Sequence, residues 1–358
     1  MSGRGLMLHL PRPESTAAEV ARDALLFLLR QWQTDFEEAT HVLPFPPEQG
    51  FRGPEWLHRG AVFQRAVIAD ALCDATALAG DQLRNVIDHE IAVLMSQRRP
   101  HGGWSYFPTL AELPPDADDL AQIITLLVRN GRYDLLLETC EEPLRILLDD
   151  CSHDDGSVET WIIPSPPRND DERLQQEWAA KAWGRGPDVD VVANLMHALT
   201  LYDRERFSAR IGAGSRFLAG RQNGDGSWSA TWYWGPYYAT YAALRVVPSA
   251  RAVAFLRATQ HSDGSWGDPL NTALALCALR SGAPAPSPAR TGGGAGAPHA
   301  DAYDRAIAYL AATRDPDGGW PAVDWIRMDL GRPSGHVHTT LSYGSRSITT
   351  AYVLKATA

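Results

Sequence analysis

Three carboxylates fall within four residues, at Asp116, Asp118 and Asp119, directly after Pro114-Pro115 and ahead of the apolar series Leu120, Ile123, Ile124 and Leu127. Proline is tolerated at a helix start, where the first N–H groups have no partner. Acids there interact well with the positive end of the helix dipole. A helix over about 116–130 is therefore expected, and capping alone would account for one or two of the acids. Three this close cannot all ionise at ordinary cost, so at least one pKa should rise. A carboxyl still protonated near neutral pH is a general acid, here one member of a group that titrates as a unit.

A second acidic pair, Asp188 and Asp190, has Asn194 one turn further on. These residues could orient or reload the first acid, or hold Mg²⁺ carrying a diphosphate; helix capping is the plainer alternative. The run Trp232-Tyr233-Trp234-Gly235-Pro236-Tyr237-Tyr238 is unusually aromatic, and Tyr106, Phe107, Trp161 and Tyr343 are similar but more scattered. An aromatic face stabilises a cation by roughly 0.5–2 kcal/mol. Several such faces around an apolar cavity would guide a carbocation without capturing it; core packing is the competing role. Arg59 and Arg346 are candidates for holding an anionic head group, with surface ion pairs as the alternative.

The elements that must position these residues read as helices throughout: about 16–38 with Ser15 as cap, 58–79, 81–98, 116–130, 133–150, one starting at 187, then 205–221, 236–247, 249–259, 269–281, 301–313 and 345–357. That is about twelve, with no convincing strand. A repeat marks their joints: RFLAGRQNGDGSW at 216–228, FLRATQHSDGSW at 255–266 and YLAATRDPDGGW at 309–320, with LMSQRRPHGGW at 94–104 and a degraded LLDDCSHDDGSV at 147–158. Aspartate before glycine suits a turn, and a tryptophan can pack under the next helix pair while its N–H finds a partner. Helices paired in this way suggest an all-α closed toroid, six inner and six outer, in one domain over 1–358. If each inner helix follows a Gly-Trp turn, all six begin at the same end, and their first turns, including Leu57-His58-Arg59, Asp268 to Asn271 and Ser342 to Ile348, ring one mouth.

Gly103-Trp104 followed by Pro115-Asp116-Ala117-Asp118-Asp119-Leu120-Ala121 resembles the DxDD region of the squalene–hopene cyclase and class II terpene cyclase family, with Leu120 where that family usually has threonine. The glycine–tryptophan copies resemble that family's QW repeats and those of protein prenyltransferase β subunits. The resemblance implies the same (α/α)6 barrel. It implies that Asp118, the middle carboxyl, protonates a terminal alkene or epoxide of a prenyl-derived substrate to start cyclisation, with Asp116 and Asp119 beside it. No metal is required on that reading, and Mg²⁺ enters only with a diphosphate substrate. His336-Val337-His338 has the form of a metal-ligand pair, but no Asp-x-Cys partner stands near it, so zinc is not expected. Squalene-type members have two barrels, and this chain has length for one; a homodimer, a lid at 152–186 or a smaller substrate would have to exclude water.

Composition narrows the field. The chain has 358 residues, 44% of them hydrophobic, and a net charge of −10 without a basic cluster, which argues against nucleic acid. No apolar run reaches transmembrane length and no secretory leader is evident. Cys73, Cys140, Cys151 and Cys277 are widely spaced, as expected of reduced thiols in a cytoplasmic protein. Residues 282–299, rich in Gly, Pro and Ala, read as a flexible insertion. Beside the cyclase stand two other functions: an Mg²⁺-dependent enzyme that ionises a prenyl diphosphate through Asp188 and Asp190, and a non-catalytic toroid that binds a prenyl chain or a protein.

Overall fold

The computed structural model describes residues 12–282 and 297–358, apart from Pro54, His101 and His338. The helices are α1 (Thr16–Gln33), α2 (Val62–Asp74), α3 (Thr76–Ala79), α4 (Asp81–Ser96), α5 (Ala117–Arg129), α6 (Tyr133–Thr139), α7 (Glu141–Asp150), α8 (Asp170–Trp178), α9 (Val189–Asp203), α10 (Ser208–Gly220), α11 (Tyr237–Leu244), α12 (Ala250–Ala258), α13 (Pro269–Gly282), α14 (Ala297–Ala312) and α15 (Arg346–Thr357). Six of them close a ring. Helix α2 packs on α5, α5 on α9, α9 on α11, α11 on α13, α13 on α15, and α15 back on α2. These inner helices are surrounded on all sides: every residue from Val62 to Leu72 in α2 and from Ala117 to Leu127 in α5 is buried, as expected of helices that show no polar face to water. The others alternate with them in sequence and pack outside, as α1 does on α15 and α10 on α9. This is the expected α/α toroid.

The repeated turns are built alike. Trp104, Trp228, Trp266 and Trp320 each donate their indole N–H to the carbonyl ten residues earlier, on Leu94, Leu218, Leu256 and Leu310, at 2.7–2.8 Å. Each thereby gives a strong donor to a carbonyl in the last turn of an outer helix, where the intrahelical i→i−4 bonds run out. Glycine is demanded at the tip: Gly264 has φ +89°, and a Cβ there would stand 2.4 Å from the Arg305 carbonyl oxygen. Gln222 reaches Ser249, the cap of the next outer helix, at 2.7 Å.

Several expected elements change. Two antiparallel hairpins are present where no strand was expected: β1 (His41–Pro44) with β2 (Leu57–Gly60), and β3 (Asp324–Leu330) with β4 (Thr339–Gly344). Helix α2 therefore starts at Val62, and Leu57-His58-Arg59 is strand instead of a helical first turn. The helix expected over 133–150 is broken near Cys140 into α6 and α7, and 152–186, expected as loop, holds α8 and a π-helical turn at Ala179–Trp183. The expected insertion at 282–299 lies mostly outside the described residues, although 297–299 open α14.

A second apolar cluster sits over the mouth of the ring. Phe45, Phe51, Phe107, Leu113, Trp161, Trp178 and Trp183 belong to it. The Phe51 and Trp178 rings stack at 4.3 Å, Trp183 donates to the Glu112 carbonyl at 3.2 Å, and Trp161 to the Gly184 carbonyl at 2.7 Å. Residues from the first hairpin, the 105–115 loop and the α8 region are thus joined into a cap.

Candidate active site

Beneath that cap lies a cavity with about 590 Å³ of atom-free space, part of it open to solvent. Its wall combines Asp116, Asp118 and Asp119 with Phe63, Tyr106, Trp161, Trp183, Trp232 and Tyr233, closed by Leu113, Val191, Ile326 and Met328. The wall is aromatic on most sides.

The acids are placed by the start of α5. Asp116 is its N-cap, accepting the Asp119 N–H at 2.7 Å. The capping role is real, but it engages one carboxyl of the three. Residues 160–162 run alongside, with Ala117 N–H donating to Thr160 O and Ile162 N–H to Pro115 O, both at 2.8 Å, which sets Trp161 beside the acids. Asp118 projects into the cavity and receives a donor on each oxygen: Asn194 Nδ2 at 2.5 Å on Oδ1 and the Tyr233 hydroxyl at 2.5 Å on Oδ2. Both oxygens of Asp119 are buried and receive no donor.

The three carboxyls consequently differ. Burial pushes Asp118 up to about 6, opposed by its bonds from Tyr233 and Asn194 and by the nearby Arg245 charge. Burial takes Asp116 to about 7, opposed by the Asp119 backbone N–H and reinforced by the charge of Asp118. Asp119 rises furthest, well above the carboxylate range, through burial and then the charge of Asp116. Asp119 thus holds its proton firmly. Asp118 is the acid whose anion has donors waiting, and such donors stabilise charge as it develops.

Asn194 is oriented from behind. Its Oδ1 accepts from the half-buried Arg245 guanidinium, so its amide N–H groups face Asp118 and the Tyr238 hydroxyl, the latter at 3.0 Å. Asp188 and Asp190 are committed to protein donors. Asp188 accepts Thr160 Oγ1 and Trp232 Nε1, both at 2.7 Å; Asp190 accepts the Trp232 and Thr231 backbone N–H groups at 3.2 and 3.4 Å. Burial, with Asp188 and Asp118 nearby, carries Asp190 up to about 8. A Mg²⁺ site needs ionised oxygens open to the ion, and this pair instead fixes the aromatic loop. Among the described residues no group of three or more His, Cys, Asp or Glu could hold a metal; His338, half of the candidate zinc pair, lies outside them.

The remaining candidates divide. Tyr106, Trp161 and Trp232 line the cavity. Phe107, Tyr238 and Tyr343 stand outside its wall: Phe107 in the cap, Tyr238 against Tyr233 at 3.9 Å, and Tyr343 stacked on His41 at 4.6 Å. Four lie away from it. Alternation along β2 turns His58 inward and Arg59 out to an ion pair with Glu37 at 2.5 Å. Arg346 bonds Asp315 and Asp317 and lies over Phe27 of α1. Trp234 is partly exposed beneath Arg327 and bonds Ser342, and Tyr237 faces Phe255 of α12. Phe63, Trp183, Arg245 and the exact role of Tyr233 went unnoticed in the sequence. Tyr233 lay within the aromatic run, and Arg245 offered no signal beyond a charge near the end of an apolar helix.

Residues 180–331 match the model of the squalene–hopene cyclase C-terminal domain. Drimenyl diphosphate synthase of Streptomyces showdoensis is 26% identical over 251 residues, 63% of this chain, and labda-7,13-dienyl diphosphate synthase of Streptomyces clavuligerus is 34% identical over 136 residues, 34% of it. The aligned stretches span 40% and 22% of those two proteins, so the chain matches less than half of either. In fold it is similar to the type II terpene cyclase MstE of Scytonema, solved with geranylgeranyl dihydroxybenzoate as substrate: TM-score 0.68, 17% identity, 96% of each chain covered. The closed double ring of helices is thus the fold of a type II terpene cyclase, and the segment 180–331 is similar in sequence to the squalene–hopene cyclase C-terminal domain.

Proposed function

We propose that the protein is a class II-type terpenoid cyclase that protonates a terminal alkene or epoxide of a prenyl-derived substrate through Asp118. The observation that carries this reading is the pairing of Asp118 with Tyr233 and Asn194 at the wall of an aromatic cavity. Burial raises the acid's pKa to about 6, so that it is protonated in mildly acidic solution and in part near neutral pH, and its anion is met by two donors without reorganisation. The Asp118 proton moves to the terminal carbon, and the cation passes among Phe63, Trp161, Trp232 and Tyr233. Trp161 and Trp232 are held edge-to-face at 5.6 Å. The cap of Phe51, Trp178 and Trp183 supplies the water exclusion that a second barrel provides in larger members of the family.

The substrate named for MstE is geranylgeranyl dihydroxybenzoate, the two Streptomyces relatives are named for terpenyl diphosphates, and the apolar lining of this cavity fits an isoprenoid chain. The test is incubation in D₂O with farnesyl diphosphate, geranylgeranyl diphosphate and a geranylgeranylated hydroxybenzoate, with and without EDTA. The expected result is a cyclic product bearing one solvent deuterium at the former terminal alkene, insensitive to EDTA and lost in Asp118→Asn. Diphosphate release without deuterium would reject the proposal in favour of ionisation.

A further inference from the structure

A second cavity, with about 740 Å³ of atom-free space partly open to solvent, backs onto the first. No residue lines both. The wall between them is made of two paired segments whose residues divide between the two sides. Leu113, Asp116, Thr160 and Trp161 face the reaction cavity, while Ala111, Pro115, Ile162 and Pro164 face the second. The Ile162 N–H donates to the Pro115 carbonyl and the Ala117 N–H to the Thr160 carbonyl, both at 2.8 Å, and so join the segments.

Arg99 lines the second cavity and grips that wall. Its Nε donates to Ser105 Oγ at 3.0 Å, and its Nη2 to the carbonyls of Leu113 at 2.8 Å and of Leu110. Its Nη1 donates to nothing in the chain and is not enclosed. Among the described residues no carboxylate forms an ion pair with Arg99. Burial lowers the guanidinium to about 10, with Asp171 and Glu112 opposing this from further off. Arg168, on the same cavity, is matched by Glu172 at 2.8 Å and Glu142 at 3.1 Å. A guanidinium with open N–H groups and no ion-pair partner is suited to an anion. Pro143, Ile146, Ile162 and Pro164 offer apolar surface in the same cavity, and the carboxylates of Asp171 and Glu172 line it too. Those carboxylates favour a ligand group of single charge over a phosphate.

We infer that this second cavity binds a small branched carboxylate, its oxygens on Arg99 Nη1 and its hydrocarbon against the prolines and isoleucines. The site lies outside the reaction cavity and takes no part in proton transfer. Its occupancy acts on the wall. An anion on Nη1 holds the guanidinium where Nη2 grips Leu110 and Leu113. Leu113 lines the reaction cavity, and Asp116, three residues on, caps α5. The bound carboxylate therefore stiffens the segment that positions the acid, whatever the reaction cavity binds.

The probe is 3-methylbutanoate, titrated by calorimetry into the wild type, Arg99→Gln, Ala111→Leu and Asp118→Asn, with thermal unfolding to report the folding of each. Ala111→Leu narrows the cavity and leaves Arg99 in place. One probe per chain should bind, with wild-type affinity in Asp118→Asn. A hydrogen bond to a charged group is worth a factor of roughly ten to a hundred, so Arg99→Gln should bind that much more weakly. Ala111→Leu should lose about tenfold or more through overlap with the hydrocarbon. On the wild type, 3-methylbutan-1-ol lacks the charge and acetate lacks the branched body, and each should bind about tenfold or more weakly than the probe. Isopentenyl phosphate, with about twice the charge, should also bind more weakly. Hydrogen–deuterium exchange over residues 105–117 should slow when the probe is bound. No binding heat from the wild type at about 10 mM probe would overturn the inference. So would wild-type affinity in a folded Arg99→Gln or Ala111→Leu, loss of binding in Asp118→Asn, or tighter binding of isopentenyl phosphate. Unchanged exchange over 105–117 would overturn the effect on the wall. Where a variant fails to fold, the ligand series on the wild type decides. None of these outcomes bears on protonation by Asp118, which deuterium incorporation tests separately.

Discussion

Tyr233→Phe separates the strength of the acid from its state of protonation. The substitution deletes one hydroxyl and keeps the ring, so the contacts with Tyr238 at 3.9 Å, Trp325 at 5.1 Å and Phe63 at 6.0 Å remain. What is lost is the 2.5 Å bond to Asp118 Oδ2. A hydrogen bond to a charged group contributes roughly 1.5–3 kcal/mol. At 1.36 kcal/mol per pKa unit, its loss should raise the Asp118 pKa by about one to two units. The same energy is missing when Asp118 becomes an anion in the transition state, so the plateau rate should fall roughly tenfold to a hundredfold.

The two effects have opposite signatures. Activity requires the protonated acid, so the wild-type rate declines as pH rises through the Asp118 pKa of about 6. In Tyr233→Phe the plateau drops, yet the declining limb moves to higher pH by the same one to two units or so. Single-turnover rates from pH 4.5 to 9 on a substrate the wild type accepts would measure both. A lower plateau with an unmoved limb would mean that Tyr233 only shapes the cavity, and the argument from hydrogen-bonded acid strength would be refuted.

Other consequences can be checked alongside. Asn194→Leu should act in the same direction as Tyr233→Phe, while Arg245→Met, which frees the Asn194 amide to rotate, should slow single turnovers and cost about 1–3 kcal/mol of stability from the unpaired carbonyl, read by pH–rate profiles and chemical denaturation. Asp116, Asp118, Asp119 and Asp190 all bind their protons more tightly in the fold than in the unfolded chain. The stability they contribute is present below the ordinary carboxylate pKa and is lost as pH rises through their folded values. Thermal unfolding should therefore show falling stability between pH 5 and 9, at up to about 1.4 kcal/mol per pH unit for each carboxyl over its own range, with a flatter profile in Asp119→Asn. Trp266→Phe removes the indole bond to the Leu256 carbonyl and should lower unfolding free energy by about 1–3 kcal/mol without altering the product ratio.

Features fixed locally were legible in the sequence. Asp116 to Asp119 sit in a helical first turn because prolines and carboxylates suit it, and each Gly-Trp turn closes on a carbonyl ten residues back. Inner and outer helices follow from those turns. The sides that residues face were less legible, because they depend on partners distant in sequence. The aromatic run is tied to β3: Arg327 N–H donates to Trp232 O and Trp234 N–H to Trp325 O, both at 2.8 Å. That pairing turns Trp232 and Tyr233 toward the acid and leaves Trp234 half outside, a division composition alone cannot make. Arg59 and Arg346 lie away from the cavity for the same reason: each pairs with a carboxylate brought near by the turn or hairpin beside it. His41 shows the converse. An isolated histidine ahead of a proline-rich connection carries no periodic signal, and only the pairing of β1 with β2 and the approach of the 105–107 segment give it Tyr106 as a partner. Charge and aromaticity in the sequence therefore identify the kind of chemistry, while long-range strand pairing selects which few of those side chains meet at the cavity.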